Sequence, residues 1–178
     1  MPWDEVRAEL KRLTGTDLSF RPFLKDLATV VTTMPDMRQR VFELVDEHEL
    51  AALETARLSD GAPESLSELS KDSRMALVTM QGRQVCTKIL ERLGIAKYFV
   101  AVFTREDSLD RATQLRKALE ALDATPPQAT FVGDRVNDLN AARAVGVRFV
   151  MIRSQPDSPP ADSLFRSMRQ FYEEWVNL

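Results

Sequence analysis

Two aspartates, Asp134 and Asp138, stand four residues apart directly after a short apolar segment. That segment, residues 130–132, is typical of a buried β-strand, and the residues after Gly133 repeat apolar side chains at helical spacing. Asp134 is therefore predicted at the carboxyl end of a strand and Asp138 in the first turn of a helix. Carboxylates placed there, beside free backbone N–H groups, suit Mg²⁺ carrying a phosphate. The alternative is a turn residue followed by a helix-start residue, which is the better interpretation of an isolated Gly-Asp.

A second strand is predicted after this helix. Gly146 can end the helix in a left-handed conformation, and residues 147–152 are again apolar. Strand, turn, helix and strand in this order imply parallel strands joined by a right-handed crossover. Sheets of this kind bind ligands at the carboxyl ends of their strands. The predicted fold class is α/β, with a doubly wound parallel sheet.

The pattern Gly-Asp-x-x-x-Asp between two apolar strands, followed by Ala-Ala-x-x-x-Gly-Val, resembles the fourth motif of the haloacid dehalogenase-like (HAD) phosphohydrolases. The resemblance covers nearly the whole chain and implies a Rossmann-like sheet with an N-terminal helical cap. It implies that Asp134 and Asp138 hold Mg²⁺. It further implies a phosphoglycolate-phosphatase-like enzyme, a Mg²⁺-dependent phosphomonoesterase that acts on a small phosphorylated metabolite.

Two further residues take their expected roles from this resemblance. Thr79 ends an apolar strand predicted over residues 75–80, as in the family's second motif, where a hydroxyl donates to the phosphoryl group. The third motif places a Lys or Arg near the next strand, and the usual Lys-Pro pair is absent. Arg111 is the nearest basic residue in register, with Arg105 behind it. A strand-end threonine and a solvated arginine at a helix start remain the alternatives.

The first 58 residues are predicted to form a helical cap, and residues 59–178 the core. A helix over residues 2–13 stops at Gly15, and another runs from Pro35 to about Leu58. Between them, residues 28–33 are ambiguous. They continue a helical pattern but are rich in strand-forming residues.

The family's first motif, an apolar strand ending in Asp-x-Asp-Gly-Thr, has no match in this sequence. In the family the first Asp is the nucleophile and the second the general acid and base. The missing strand is the central one, so two buried strand edges would lack backbone partners. The chain would need a substitute strand, a homodimer partner or a shifted sheet. Insertion of residues 28–33 is one hypothesis for that substitute.

Three functional hypotheses follow. The first is an active phosphatase whose true start lies roughly a dozen residues or more upstream of Met1, and it is favoured. The second is a catalytically inactive domain that binds a phosphate compound or a protein. The third is a different doubly wound domain, such as a receiver-like module, but the helical first 58 residues do not fit that plan.

Composition excludes several other functions. The net charge is −3 with no basic stripe, which argues against nucleic acid as a principal partner. No apolar run approaches the length of a membrane span, and the N-terminus lacks the features of a signal peptide. The single Cys86 excludes an internal disulfide and fits a reducing, cytoplasmic compartment. Cys86 is expected to pack in a helix, and the only histidine, His48, to be solvated or half-buried. Zinc held by a His/Cys cluster is therefore ruled out.

The C-terminal segment carries a stripe of apolar side chains over residues 162–178. Residues 154–160 are predicted to be a loop before it. The stripe is typical of a helix packed on the core, with a partner surface as the alternative. The HAD resemblance implies a short strand near Leu164, which would make the helix start later.

Overall fold

The computed structural model describes residues 3–153 and 161–175. The predicted loop over residues 154–160 lies outside this range. The described chain contains these helices: α1 (Trp3–Thr14), α2 (Phe23–Thr33), α3 (Arg38–Ala51), α4 (Ala62–Asp72), α5 (Arg83–Arg92), α6 (Arg111–Leu122), α7 (Val136–Val145) and α8 (Met168–Trp175). Its strands are β1 (Met75–Val78), β2 (Phe99–Phe103), β3 (Thr130–Gly133), β4 (Arg148–Ile152) and β5 (Ser163–Phe165).

The strands form two separate parallel groups. β1 pairs with β2, and β3, β4 and β5 form a three-stranded sheet with β4 in the middle. Strand β4, paired on both sides, buries Phe149, Val150 and Met151 almost completely, whereas no residue of β1 or β3 is fully buried. Within the described residues no strand lies between β1 and β3, and the two strands do not pair with each other. The predicted gap in the centre of the sheet is therefore present.

Helices cover both faces of this gap. On one face α6 packs against β1 and β2 and also against α7, which packs on β3 and β4. On the other face α4 supplies Leu66 to the apolar cluster beside Leu77 of β1. The same helix supplies Leu69 to the cluster beside Val132 of β3. The two strand groups are thus joined through helices and not through backbone hydrogen bonds.

The first three helices share an apolar cluster of their own. The buried members are Val6, Leu10, Phe20, Leu27, Val30, Val41, Phe42 and Val45. Val30 and Val31 lie in α2, so the hypothesis that residues 28–33 fill the sheet is wrong. Burial of Val30 in this cluster overrides the strand propensity of its β-branched neighbours. The helix predicted from Pro35 to Leu58 is also too long, because α3 ends at Ala51.

The C-terminal segment is a strand followed by a short helix. β5 contains Leu164 and α8 begins only at Met168, so the short strand and the later helix start that the HAD resemblance implies are confirmed. Phe165 and Phe171 pack edge to face at 5.5 Å between ring centroids, so part of the predicted apolar stripe is buried in the core. Across the described ranges, none of the helices combines the length and apolar character that crossing a bilayer requires.

Candidate functional site

Thr79 follows β1 at the carboxyl edge of the sheet. Its backbone N–H donates to the carbonyl of Phe103 over 2.8 Å, which ties it to the end of β2. Its Oγ1 accepts a hydrogen bond from the backbone N–H of Gln81 over 3.2 Å. A hydroxyl has one donor and two acceptor positions, so the hydrogen of Thr79 remains available to a ligand.

Arg111 is the first residue of α6 and not a solvated arginine. Its Nε lies 3.1 Å from Oδ1 of Asp138, and its Nη1 donates to Oε1 of Gln114 over 2.8 Å. Only 19% of its side chain is exposed. Burial lowers the pKa of Arg111, and the neighbouring Asp138 carboxylate opposes that shift.

The two predicted metal ligands occupy different environments. Asp138 is buried; its Oδ2 accepts from the backbone N–H of Arg135 over 3.3 Å, and its Oδ1 pairs with Arg111. Burial raises the pKa of Asp138, and the charge of Asp134 adds to that rise. Asp134 is exposed, with its nearest cationic atom, Nε of Arg135, at 3.9 Å. Asp138 therefore lies in the first turn of α7, as the helix-start interpretation predicts, and also forms an ion pair with Arg111.

The fit of this site to a metal ion is incomplete. Asp134 offers a free carboxylate, but both oxygens of Asp138 are already engaged. Within residues 3–153 and 161–175 no three acidic, histidine or cysteine side chains converge as a metal cluster would require. The described residues therefore do not form a self-sufficient Mg²⁺ site, and further oxygen ligands would have to come from outside them.

Gln114 links these residues, and sequence reasoning missed it. Its Nε2 donates to the carbonyl oxygen of Thr79 over 2.9 Å, while its Oε1 accepts from Arg111. A continuous row of contacts therefore runs from Thr79 through Gln114 and Arg111 to Asp138. A glutamine on the first turn of an amphipathic helix gives no signal of this role.

Arg105, the second basic candidate, lies elsewhere. Its guanidinium is 1% exposed and pairs with two carboxylates of α3, Asp46 and Glu49. Its Nε has no hydrogen-bond partner among the residues that the structure describes, and its guanidinium lies 5.8 Å from the ring centre of Phe42. Arg105 therefore connects α3 to the loop after β2 and does not reach the Thr79–Asp138 row.

The two remaining reactive residue types are engaged or buried. Cys86 is buried, and burial raises its pKa to about 11, so its thiol is not a nucleophile at neutral pH. His48 is half-buried beside Glu9, with Nε2 and Oε2 3.1 Å apart. Both expectations from the sequence are confirmed.

Two cavities reach three of the four predicted site residues. The larger, about 960 Å³, opens at the mouth of β3 and β4 and is lined among others by Asp60, Gly133, Asp134 and Arg166. The smaller, about 420 Å³, lies between α2 and the core, and its lining includes Lys25, Arg111, Asp138 and Asn140. Asp134 therefore faces one cavity, and Arg111 and Asp138 face the other.

Comparison with known proteins identifies the family. The model of the haloacid dehalogenase-like hydrolases matches residues 12–152. The chain belongs to this family. The phosphoglycolate phosphatase of Salmonella typhi is 37% identical over 75 residues, which are 40% of this chain and 30% of that protein. The Neisseria meningitidis phosphoglycolate phosphatase is 29% identical over 111 residues, 56% of this chain and 47% of that protein.

Solved structures agree on the fold. A haloacid dehalogenase-like family hydrolase from Streptococcus pneumoniae superposes with a TM-score of 0.70 at 16% identity, covering 97% of this chain and 89% of that one. A HAD phosphatase from Thermococcus onnurineus gives 0.66 at 20% identity, covering 96% and 86%. The HAD-like α/β fold is therefore shown, while the curated relatives are matched over less than half of their length.

Proposed function

We propose that this HAD-like hydrolase chain provides the phosphate-binding half of a Mg²⁺-dependent phosphomonoesterase for a small phosphorylated metabolite. The supporting observation is the row Thr79–Gln114–Arg111–Asp138 at the carboxyl edge of the parallel strands. The relatives from Salmonella typhi and Neisseria meningitidis are phosphoglycolate phosphatases, which is consistent with a substrate of this kind.

Each residue of the row has a defined task in this proposal. The Thr79 hydroxyl donates to one phosphoryl oxygen, and the free N–H groups of Arg111 hold a second. Asp138 keeps the guanidinium charged and oriented. Asp134 would be the protein's ligand to Mg²⁺, which, when bound, offsets the charge between carboxylates and phosphate.

Covalent hydrolysis requires a nucleophile that these residues do not supply. The sequence contains no Asp-x-Asp. Among the described residues β1 and β3 each have one edge without a strand partner. A strand carrying a nucleophile would fit between them, next to Thr79 and Asp134. The proposal places that strand in sequence encoded upstream of Met1. The helices α1–α3 would then be a cap, residues 1–58, over a core of residues 59–178, with the smaller cavity between them as the substrate chamber.

A second candidate is a phosphate-binding or protein-binding domain without catalysis. The contacts of both Asp138 oxygens favour it, because one is paired with Arg111 and the other accepts from the backbone N–H of Arg135. The phosphate-binding form of this candidate differs from the first proposal only in turnover, whereas the protein-binding form also lacks phosphate binding.

Phosphate binding is tested by titrating the chain with inorganic phosphate and measuring heat or amide NMR shifts. We expect saturable binding that Arg111→Met weakens by about tenfold or more, the effect of losing a charge-assisted hydrogen bond. Arg116→Met is the matched control, because Arg116 is an exposed arginine on the same helix. Equal binding by both variants, or none by the parent chain, would contradict the proposal.

A further inference from the structure

Gln114 is completely buried, and all of its side-chain polar atoms are engaged. Besides Thr79, its Nε2 donates to the carbonyl oxygens of Thr104 over 2.8 Å and of Ser108 over 3.0 Å. Two N–H hydrogens serve three acceptors, so one of them is shared. The amide thus joins the end of β1, the end of β2 and the following loop, while its oxygen holds Arg111.

Only an amide satisfies this environment. The carbonyl oxygens of Thr79 and Ser108 require a donor, and the guanidinium of Arg111 requires an acceptor. The Thr104 carbonyl also accepts from the backbone N–H groups of Asp107 and Ser108. Methionine would provide neither. Glutamate at neutral pH would keep the acceptor but would place a negative charge against the carbonyls of Thr79, Thr104 and Ser108. Each unsatisfied group would carry the cost of burial without a partner.

We propose that Gln114 is a positioning residue that sets the geometry of both phosphate contacts, an inference that rests on the proposed function. It fixes the backbone at Thr79 through the carbonyl and the plane of Arg111 through Nη1. Asp138 holds the same guanidinium at Nε. Two of the five guanidinium N–H groups are therefore committed, and three remain in a fixed direction for an anion.

The test compares Gln114→Met, which removes donor and acceptor, with Gln114→Glu, which keeps the acceptor for Arg111. In ¹⁵N NMR spectra of the parent chain we expect separate Nη1 and Nη2 signals for Arg111, because contacts at two points hinder its rotation. Gln114→Glu retains the separate signals, and Gln114→Met merges them. Inorganic phosphate binds Gln114→Met about tenfold more weakly than the parent.

Val6→Ala serves as the control for stability alone. Val6 is fully buried in the cluster of α1–α3, so its truncation destabilises the fold without touching the row. We expect it to leave the Arg111 signals and the phosphate affinity unchanged. If Gln114→Met does not fold, Gln114→Asn replaces it, since a shorter amide cannot span the same contacts.

Separate Nη signals in Gln114→Met, or phosphate affinity within about twofold of the parent, would overturn the assignment. The absence of phosphate binding by the parent chain would overturn the proposed function instead. In that case the guanidinium signals still decide whether Gln114 positions Arg111.

Discussion

Gly82 lies in the turn after Thr79, where the absence of a side chain allows the backbone to approach α3 closely. Its φ is −66°, which any residue adopts, so the need for glycine is steric. An added Cβ would lie 1.9 Å from Oδ1 of Asp46, which is itself held by Arg105. The turn between β1 and α5 therefore touches α3 without any space for a side chain.

Gly82→Ala is expected to lower the free energy of unfolding by about 1–3 kcal/mol, the usual cost of overpacking. The physical reason is that Asp46 must move away from its ion pair with Arg105. Urea denaturation measures the change. Gly94→Ala gives a comparison without a clash, since nothing lies within 4 Å there, although its φ of +67° carries some strain. An unchanged midpoint in Gly82→Ala would contradict the described contact.

At the residue scale the sequence locates side chains that sit at strand ends. Thr79, Asp134 and Asp138 follow from apolar strands that stop at a turn, because strand ends are local features. The role of Gln114 and the burial of Arg105 could not be predicted from the sequence. Both depend on contacts between segments far apart in sequence, such as Arg105 with α3.

At the scale of elements, the Arg105 ion pairs join α3 to the core. Asp46 and Glu49 face this guanidinium, and Glu49 also accepts from the backbone N–H of Gly82 over 3.4 Å. Burial raises the pKa of both carboxyl groups, and Arg105 opposes the rise. The connection therefore depends on the arginine charge.

Arg105→Met is expected to cost about 3 kcal/mol of unfolding free energy at pH 7, because it leaves two buried carboxylates unpaired. Without Arg105 their folded-state pKa values rise further above the unfolded values. The folded state then binds more protons, so the loss is largest above the folded pKa values and shrinks as pH falls toward the ordinary pKa values of 3.8 for Asp and 4.5 for Glu.

Thermal unfolding of Arg105→Met and parent between pH 7 and pH 5 measures this difference. The matched control carries Asp46→Asn and Glu49→Gln together with Arg105→Met. Because the two amides do not titrate, the pH dependence of the stability difference disappears in this control. A stability difference that grows as pH falls would contradict the described ion pairs.

Helices and strands were predictable where pattern and packing agree. The strand–helix–strand unit around Asp134 matches β3, α7 and β4, and Gly146 ends α7 with φ at +82°. Residues 28–33, whose pattern left helix and strand open, lie in α2, because burial of Val30 outweighs the strand preference of its β-branched neighbours. At the C-terminus the short strand near Leu164 came from the HAD resemblance and not from the helical spacing of the apolar stripe.

At the scale of the whole molecule, β1 and β3 each have one edge without a strand partner among the described residues. We therefore expect backbone amides in different strands to differ in their protection from hydrogen exchange. Amide hydrogens of β4, paired on both sides and buried, should exchange more slowly than those of β1 and β3. Hydrogen exchange followed by NMR on Val150, Leu77 and Val132 measures this. Equal protection at all three would mean that another strand already occupies the gap.

The parallel sheet and its missing centre were predictable because the family's strand order is regular and the absent motif is specific. The contacts that join the two strand groups in the absence of that strand were not predictable. They depend on α4, which contributes to the apolar clusters of both strand groups, and on α6, which packs on β1 and β2 and against α7. Such contacts leave no pattern in a single sequence.

The most direct test of the account is phosphate release from p-nitrophenyl phosphate with Mg²⁺. It compares the 178-residue chain with a version that begins with an added apolar strand ending in Asp-x-Asp. We predict turnover only in the extended protein, abolished when the first added Asp becomes Asn, since loss of a covalent nucleophile costs orders of magnitude in rate. Equal turnover by the 178-residue chain alone would contradict the account.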